Sequence, residues 1–278
     1  FHPSRALYLG VALSLAVPFE IVGCAHPESR TQPPTVRERV EQYAVVRLTT
    51  DLGGLTPNER RMIPLLIDAA EQMHRAFWKQ ACGEQDEFLR PIQDPLARRF
   101  AEINCGPWDR LNGRQPFLPG AGPRSKGANF YPHDMTKEEF EEHLAENPGD
   151  QEAFKSEYTV IRRDPSGRLT ALPYHQAFAA ETRAAAAKLK EAAVLADDAA
   201  FNKYLELRAQ ALLTGDYRAS DLAWMDAKDS RIDCLIGPIE HYEDELFGYK
   251  TSYEGMVLVR DGEWSDRLAK YVSLLPGL

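Results

Sequence analysis

The side chains best suited to chemistry lie close together near the end of this 278-residue chain, in Ile239-Glu240-His241-Tyr242-Glu243-Asp244-Glu245. A carboxylate beside a phenol is a useful pair. The carboxylate recognises an amine, and the phenol donates a hydrogen bond to an oxygen that gains negative charge during reaction. In an extended segment residues i and i+2 point to the same side, so Glu240 and Tyr242 are expected on one face with His241 opposite. The competing account is structural: a buried tyrosine bonded to a glutamate that fixes a loop. Glu243, Asp244 and Glu245 offer the oxygens a hard cation takes. Adjacent residues seldom converge on one ion, however, so a solvated acidic turn or salt bridges to Arg and Lys are expected instead. His241 has the chemistry of a proton shuttle, but nothing in the spacing assigns it that role.

Two short apolar runs bracket this segment, Cys234 to Ile236 and Met256 to Val259. The second is rich in β-branched residues, stops at Arg260-Asp261-Gly262 and reads as a strand. Gly237-Pro238 and Gly248 allow the chain to turn between the runs. Upstream, apolar residues recur at helical spacing. Helices are expected over residues 35–51, from the capping box Thr56-Pro57-Asn58-Glu59 towards Lys79, over 86–103, and from a second box at Thr136 to about Glu146. Pro64 is expected to kink or restart the second of these. Tyr158 to Arg163, Asp164-Pro-Ser-Gly167 and Arg168 to Pro173 read as a β-hairpin. Two helices are expected within 174–214, and another from about Asp216 through Met225. The long loop from Asn104 to Pro132 is unusual in a compact chain, and such loops are often functional. His133 follows it and is a weaker site candidate. His74, beside Met73 and near Phe77 and Trp78, is read as a core-edge histidine. The fold class expected is mainly α with a minor β part (α+β).

The formal net charge of −9 argues against a nucleic-acid surface, which needs a basic patch. A hydrophobic content of 44% is ordinary for a soluble globular protein. The seven histidines include no His-Glu-x-x-His spacing, which would set two metal ligands one helical turn apart. Gly120-Ala-Gly122 lacks the features of a phosphate loop. Cys82 and Cys105 are a conceivable disulfide pair, with three free thiols the alternative.

The run Ile236-Gly-Pro-Ile-Glu-His-Tyr-Glu-Asp-Glu-Leu-Phe-Gly-Tyr-Lys250, followed by Tyr253-Glu254-Gly255 and an apolar strand, resembles the dipeptidyl peptidase III family of zinc peptidases, and its bacterial branch in particular. Asn129-Phe-Tyr-Pro132, Thr159-Val-Ile-Arg-Arg163 and Ala223-Trp-Met-Asp-Ala-Lys-Asp-Ser230 extend the resemblance over about residues 35–278. It implies the helical N-terminal region of a two-lobed metallopeptidase. Glu240 would bind the free amino end of a peptide, and Tyr242 would hydrogen-bond the scissile carbonyl and the developing oxyanion. Zinc is the implied cofactor, with ligands from a His-Glu-x-x-(Gly)-His helix and a later Glu that this chain does not contain. The chain is accordingly read as the N-terminal part of a larger hydrolase, inactive by itself, with residues 35–278 as an incomplete peptidase domain. Glu243 to Gly248 depart from the peptidases just after Tyr242, which leaves dipeptide release open. The alternative is an exported, non-catalytic peptide- or ligand-binding lipoprotein.

The first residues suggest export. Phe1 to Arg5 form a short basic lead, Ala6 to Val22 are mostly apolar, and Ile21-Val22-Gly23-Cys24 resembles a bacterial lipoprotein cleavage site. Residues 1–23 are expected to be a signal peptide, Cys24 the lipidation site, and residues 24–34 a flexible tether. The mature protein would then be membrane-anchored on the periplasmic or extracellular side. Cys24→Ala is expected to move the full-length protein from the membrane to the soluble fraction, as read by cell fractionation. Equal retention of variant and wild type at the membrane would exclude lipidation at Cys24.

Overall fold

The computed structural model describes residues 33–272 and 274–277. The body from Val36 onward forms one compact unit. Its first helix, α1, covers only Val36–Val40. The longer helix expected to Asp51 does not form. Val45 and Leu48 are 98% and 90% exposed, so no packing offsets the cost of ordering them.

Helix α2, Pro57–Ala81, is the central element. Its capping box is complete: Thr56 Oγ1 accepts from the Glu59 N–H at 3.1 Å, and the Glu59 carboxylate accepts from the Thr56 N–H at 2.7 Å. The helix continues through Pro64, and the expected restart does not occur. A proline removes one intrahelical bond, while Met62, Leu66, Ala69, Met73 and Ala76 bury one continuous stripe. The single helix expected over 86–103 is two, α3 (Gln85–Leu89) and α4 (Pro95–Asn104). Pro91 and Pro95 interrupt it, and Asp94 restarts it by accepting from the Leu96 N–H at 2.8 Å.

The long loop contains a minimal ribbon, β1 (Trp108–Asp109) with β2 (Gln115–Pro116). Helices α5 (Lys137–Glu146) and α6 (Gln151–Lys155) follow. At α5 only half of the box forms. Thr136 Oγ1 accepts from the Glu139 N–H at 3.1 Å, but the Glu139 carboxylate turns to Arg163 at 2.6 Å. The hairpin is as expected: β3 (Thr159–Arg163) pairs antiparallel with β4 (Leu169–Pro173). Asp164 accepts from the Ser166 and Arg168 N–H groups in its turn.

Helices α7 (Tyr174–Ala177), α8 (Ala179–Ala193), α9 (Ala199–Thr214) and α10 (Arg218–Asp226) then stack in order, α8 against both α2 and α9, and α10 on α9. The last ribbon joins β5 (Ile232–Glu240) to β6 (Ser252–Val259), and α11 (Gly262–Val272) follows it. The architecture is therefore mainly α with a minor β part. One large core cluster unites α2, α8, α9, the β3–β4 hairpin and the β5–β6 ribbon.

β6 lies directly on α2 at one point, and that contact requires a glycine. A Cβ on Gly255 would stand 2.6 Å from the Ala70 Cα, so the strand could not approach the helix so closely. Gly255→Ala is expected to lower stability by about 1–3 kcal/mol through overpacking. The measurement is the urea midpoint of the folded chain; an unchanged midpoint would mean that the ribbon is not held against α2.

Candidate functional site

The candidate site sits where β5 ends and the loop of residues 241–251 begins. β5 and β6 pair in regular register from Ile232 opposite Val259 to Pro238 opposite Tyr253. An irregularity follows, with Glu240 opposite Ser252. Ile232, Cys234 and Ile236 are fully buried, and by simple alternation Glu240 would point the same way. The bulge breaks that parity and leaves Glu240 half-buried at the strand end. Ser252 Oγ donates to the Glu240 carbonyl at 3.0 Å. Among the described residues the Glu240 carboxylate has no hydrogen-bond or ion-pair partner.

Tyr242 does not follow the extended geometry expected for it. The Asp244 N–H donates to the His241 carbonyl at 3.2 Å, so Tyr242 lies in a tight turn. It is 54% exposed, and its hydroxyl donates to Glu254 Oε1 at 2.7 Å, across the ribbon on β6. Partial burial, then the Glu254 carboxylate, raise the phenol above its ordinary value; the nearby charge of Glu240 adds to this. The hydroxyl therefore stays protonated and able to donate. The structure thus brings Glu240 and Tyr242 together through a bulge and a turn. His241 is exposed.

Of the two arrangements expected for the acidic run, a solvated turn or salt bridges, Glu243 and Glu245 form salt bridges to arginines. Glu243 is fully buried and pairs with three arginines of the long loop: Arg110, Arg114 at 3.1 Å and Arg124 at 2.6 Å. Burial pushes its carboxyl up, but the arginines, Arg110 first, outweigh burial and hold it below the usual range. Arg114 and Arg124 also reach the more exposed Glu245. Asp244 is buried and caps the rest of the loop. It accepts from the backbone N–H groups of Leu246, Phe247, Tyr249 and Lys250 at 3.0–3.2 Å, and from the Tyr131 hydroxyl at 2.8 Å. Lys250 is buried as well. Its Nζ donates to the carbonyls of Phe154 and Ser156 and to Thr159 Oγ1 at 2.6–2.9 Å. Burial pulls its pKa down to about 7, against the opposing charge of Asp244.

Two further supports come from α2. Gln80 is fully buried and spans the start of β6, accepting from the Tyr253 N–H at 2.8 Å and donating to the Thr251 carbonyl at 3.3 Å. His74 lies at the core edge, exposed on one side and bonded to the fully buried Trp78 on the other. It lies on the rim of a recess of about 230 Å³ that Tyr242, Phe77, Glu254 and Met256 also line. Its Nε2 accepts from the Trp78 indole N–H at 3.2 Å, which assigns the proton of the neutral ring to Nδ1. Partial burial, and then Arg75, lower its pKa.

Other candidates lie apart. His133 is exposed and does not line the recess beside Tyr242. A larger recess, about 350 Å³, is lined by Glu139, Glu142, His143, Glu146 and Asp150. His143 there is already bonded to Asp150 at 2.8 Å, and neither Glu240 nor Tyr242 reaches it. Among the described residues no group of three or more His, Cys, Asp or Glu is arranged to hold a metal ion. Cys82, Cys105 and Cys234 are free thiols; burial raises the first two to about 11 and the third to about 12. No described helix is long and apolar enough to cross a membrane. Cys24 and the tether through Gln32 lie outside the described residues.

Sequence reasoning gave Asp244 no capping role, gave Lys250 no role, and did not identify which arginines meet the acidic run. A signal for Asp244 was present, since Asp followed by Gly248 is turn chemistry. Nothing in the spacing of Arg110, Arg114 and Arg124 pointed to a common carboxylate. Glu243→Gln is expected to cost about 3 kcal/mol, because it removes a buried anion and leaves three partly buried arginines without it. The folded-state pKa of Glu243 lies below the unfolded value of about 4.3. Its stabilisation is therefore complete above that value and is lost as pH falls through the folded pKa. Below about pH 4.3 the urea midpoint of the wild type should fall more steeply than that of Glu243→Gln. Parallel pH profiles would show that the cluster does not support the fold.

No family model matches the chain. It is 29% identical to Nudix hydrolase 3 of Arabidopsis thaliana over 283 residues, 82% of this chain and 36% of that protein. Two solved structures are similar. The chain is 42% identical to dipeptidyl peptidase III from Caldithrix abyssi, with a TM-score of 0.83, over 87% of this chain and 47% of that one. It is 33% identical to dipeptidyl-peptidase III from Corallococcus sp. strain EGB, with a TM-score of 0.81, over 88% of this chain and 47% of that one. The chain spans about half the length of these structures and just over a third of the curated relative. Identity at this level, carried on the same mainly helical fold, makes the chain similar in sequence and structure to about half of a dipeptidyl peptidase III.

Proposed function

We propose that the whole protein is a peptide hydrolase and that this chain supplies the part of its cleft that holds and polarises the substrate. One observation carries the reading: an unpartnered, half-buried carboxylate, Glu240, stands beside an exposed tyrosine hydroxyl on a loop braced by buried charges. A half-buried carboxylate with no protein cation suits an ammonium group, and the free amino end of a peptide provides one. The Tyr242 hydroxyl then passes from Glu254 to the carbonyl oxygen of the bond to be cut. Its bond strengthens as that oxygen becomes an oxyanion. The carboxylate of Glu254 holds the hydroxyl in position before the substrate arrives.

Zinc is proposed as the cofactor on the family resemblance, with ligands outside this chain. The described residues form no metal site, so no step is assigned to the metal here. Attachment of an exported bacterial protein to the membrane through Cys24 remains part of the proposal and rests on the sequence alone. The similarity to dipeptidyl peptidase III structures supports a peptide substrate.

In the full-length enzyme, Tyr242→Phe is expected to lower kcat by about 10²–10³-fold, about 2.7–4 kcal/mol, with a smaller effect on KM. Glu240→Gln should mainly raise KM, and only for peptides with a free amino end; blocked peptides should change much less. Steady-state kinetics with thermal unfolding alongside tests both. An unchanged kcat in a folded Tyr242→Phe enzyme would remove Tyr242 from the mechanism. Peptide binding without turnover in the wild type would favour the non-catalytic alternative.

A further inference from the structure

One buried charge has no part in the roles assigned to Glu240 and Tyr242. Arg208, on α9, is 4% exposed. Among the described residues its one hydrogen-bond partner is Asp221 of α10, whose side chain is 57% exposed. The Arg208 Nε is buried with no partner. A buried guanidinium that leaves a donor unpaired costs free energy, so the place it fills needs a reason. That reason is shape. The guanidinium lies over the rings of Tyr204 and Tyr217, 5.4 Å from each centroid, a packing that suits a planar cation. On its strand side is Gly237 of β5. A Cβ there would stand 3.1 Å from Arg208 Nη1 and 3.5 Å from Tyr217 Cε1, and the φ of +144° is one that other residues rarely adopt. The strand therefore rests on the guanidinium with no side chain between them.

Gly237 also links the two halves of the candidate site. In the ribbon it lies opposite Glu254, the resting partner of Tyr242. It comes three residues before Glu240, just ahead of the irregularity between Pro238 and Glu240. Pro238 follows with a fixed φ, so the direction of the chain at Gly237 carries into the bulge. A shift of β5 at this one contact would displace the Glu254 carboxylate across the ribbon and re-aim Glu240 with it.

We propose that Arg208 is a positioning residue: its guanidinium plane seats β5 at Gly237 and so sets the spacing between the Glu240 carboxylate and the Tyr242 hydroxyl. The inference rests on the hydrolase reading. It assigns the role to the plane of the group, because the one anion that Arg208 meets stands largely in solvent.

The test uses the full-length protein, with steady-state kinetics on a peptide with a free amino end and on its blocked counterpart, and thermal unfolding alongside. Arg208→Lys keeps the charge and loses the plane. It should lower kcat about tenfold on both peptides and raise KM about tenfold on the free peptide alone. Asp221→Asn removes the anion but keeps an acceptor for Nη2; its constants should stay within about twofold of wild type. Gly237→Ala crowds the same contact from the strand side. It covers the case in which the lysine variant does not fold, and should give the same split between the two peptides. Wild-type constants in Arg208→Lys, or a loss that only follows the loss of folded protein with KM unchanged, would overturn the inference. So would an equal loss in Asp221→Asn. All three leave the hydrolase reading intact. If the wild type cleaves nothing, the hydrolase reading fails, and the inference is judged by the Kd of the same two peptides. Arg208→Lys must then weaken the free peptide alone, about tenfold. Equal changes on the two peptides, or no change, would overturn it as well.

Discussion

The Asp244 carboxylate is the interaction on which the site depends. A loop between two strands leaves several backbone N–H groups without ladder partners, and burying them unpaired costs free energy comparable to a lost hydrogen bond for each. Here one buried carboxylate gathers four of them together with the Tyr131 hydroxyl. The loop can therefore fold tightly against the body instead of standing in solvent. Lys250 and Glu243 then fix its two ends to different elements. Lys250 reaches the junction of α6 and β3, and Glu243 reaches the arginines around β1 and β2. Three buried charges thus serve the geometry of residues that carry no buried charge themselves.

This arrangement separates support from function. Glu243, Asp244 and Lys250 are buried and fully engaged, while Glu240 and Tyr242 are accessible and lightly engaged. In the role proposed for it, Tyr242 would have to give up its resting partner at little cost, and it has a single one, Glu254. That role would also require its position to be held closely, because small misplacements at a reacting centre are expensive. Rigidity is supplied from below by the loop and from the side by Gln80, which pins the first residues of β6 to α2. The same helix supplies His74 and Phe77 to the rim of the recess. One long helix therefore sets the height of the strand and shapes the surface beside it.

The similarity to solved structures and the local geometry bear on different questions. Similarity to dipeptidyl peptidase III structures covers nearly nine-tenths of this chain but about half of theirs. It fixes the fold of the part in hand. The carboxylate of Glu240 and the phenol of Tyr242 belong to this chain whatever the rest of the protein adds. The match to the Nudix hydrolase relative covers just over a third of that protein.

Much of this was legible in the sequence because it depends on local chemistry. The capping box before α2, the β3–β4 hairpin with its Asp164 turn, α10 and the strand at Met256–Val259 all follow from neighbouring residues. Glu240 and Tyr242 could be singled out for the same reason, as residue types two apart. Only the tertiary structure decided how they meet. A bulge turned Glu240 out of the core, and a turn, not an extended strand, brought Tyr242 to Glu254. The helix expected to Asp51 failed because periodicity shows where apolar residues would align but not whether anything will cover them. For the acidic run the sequence left a solvated turn and salt bridges to Arg and Lys both open, because charge in sequence looks the same until its partners are known; the fold chose the salt bridges for Glu243 and Glu245. The arginines that bury Glu243 lie more than a hundred residues away, and nothing but the fold brings them there.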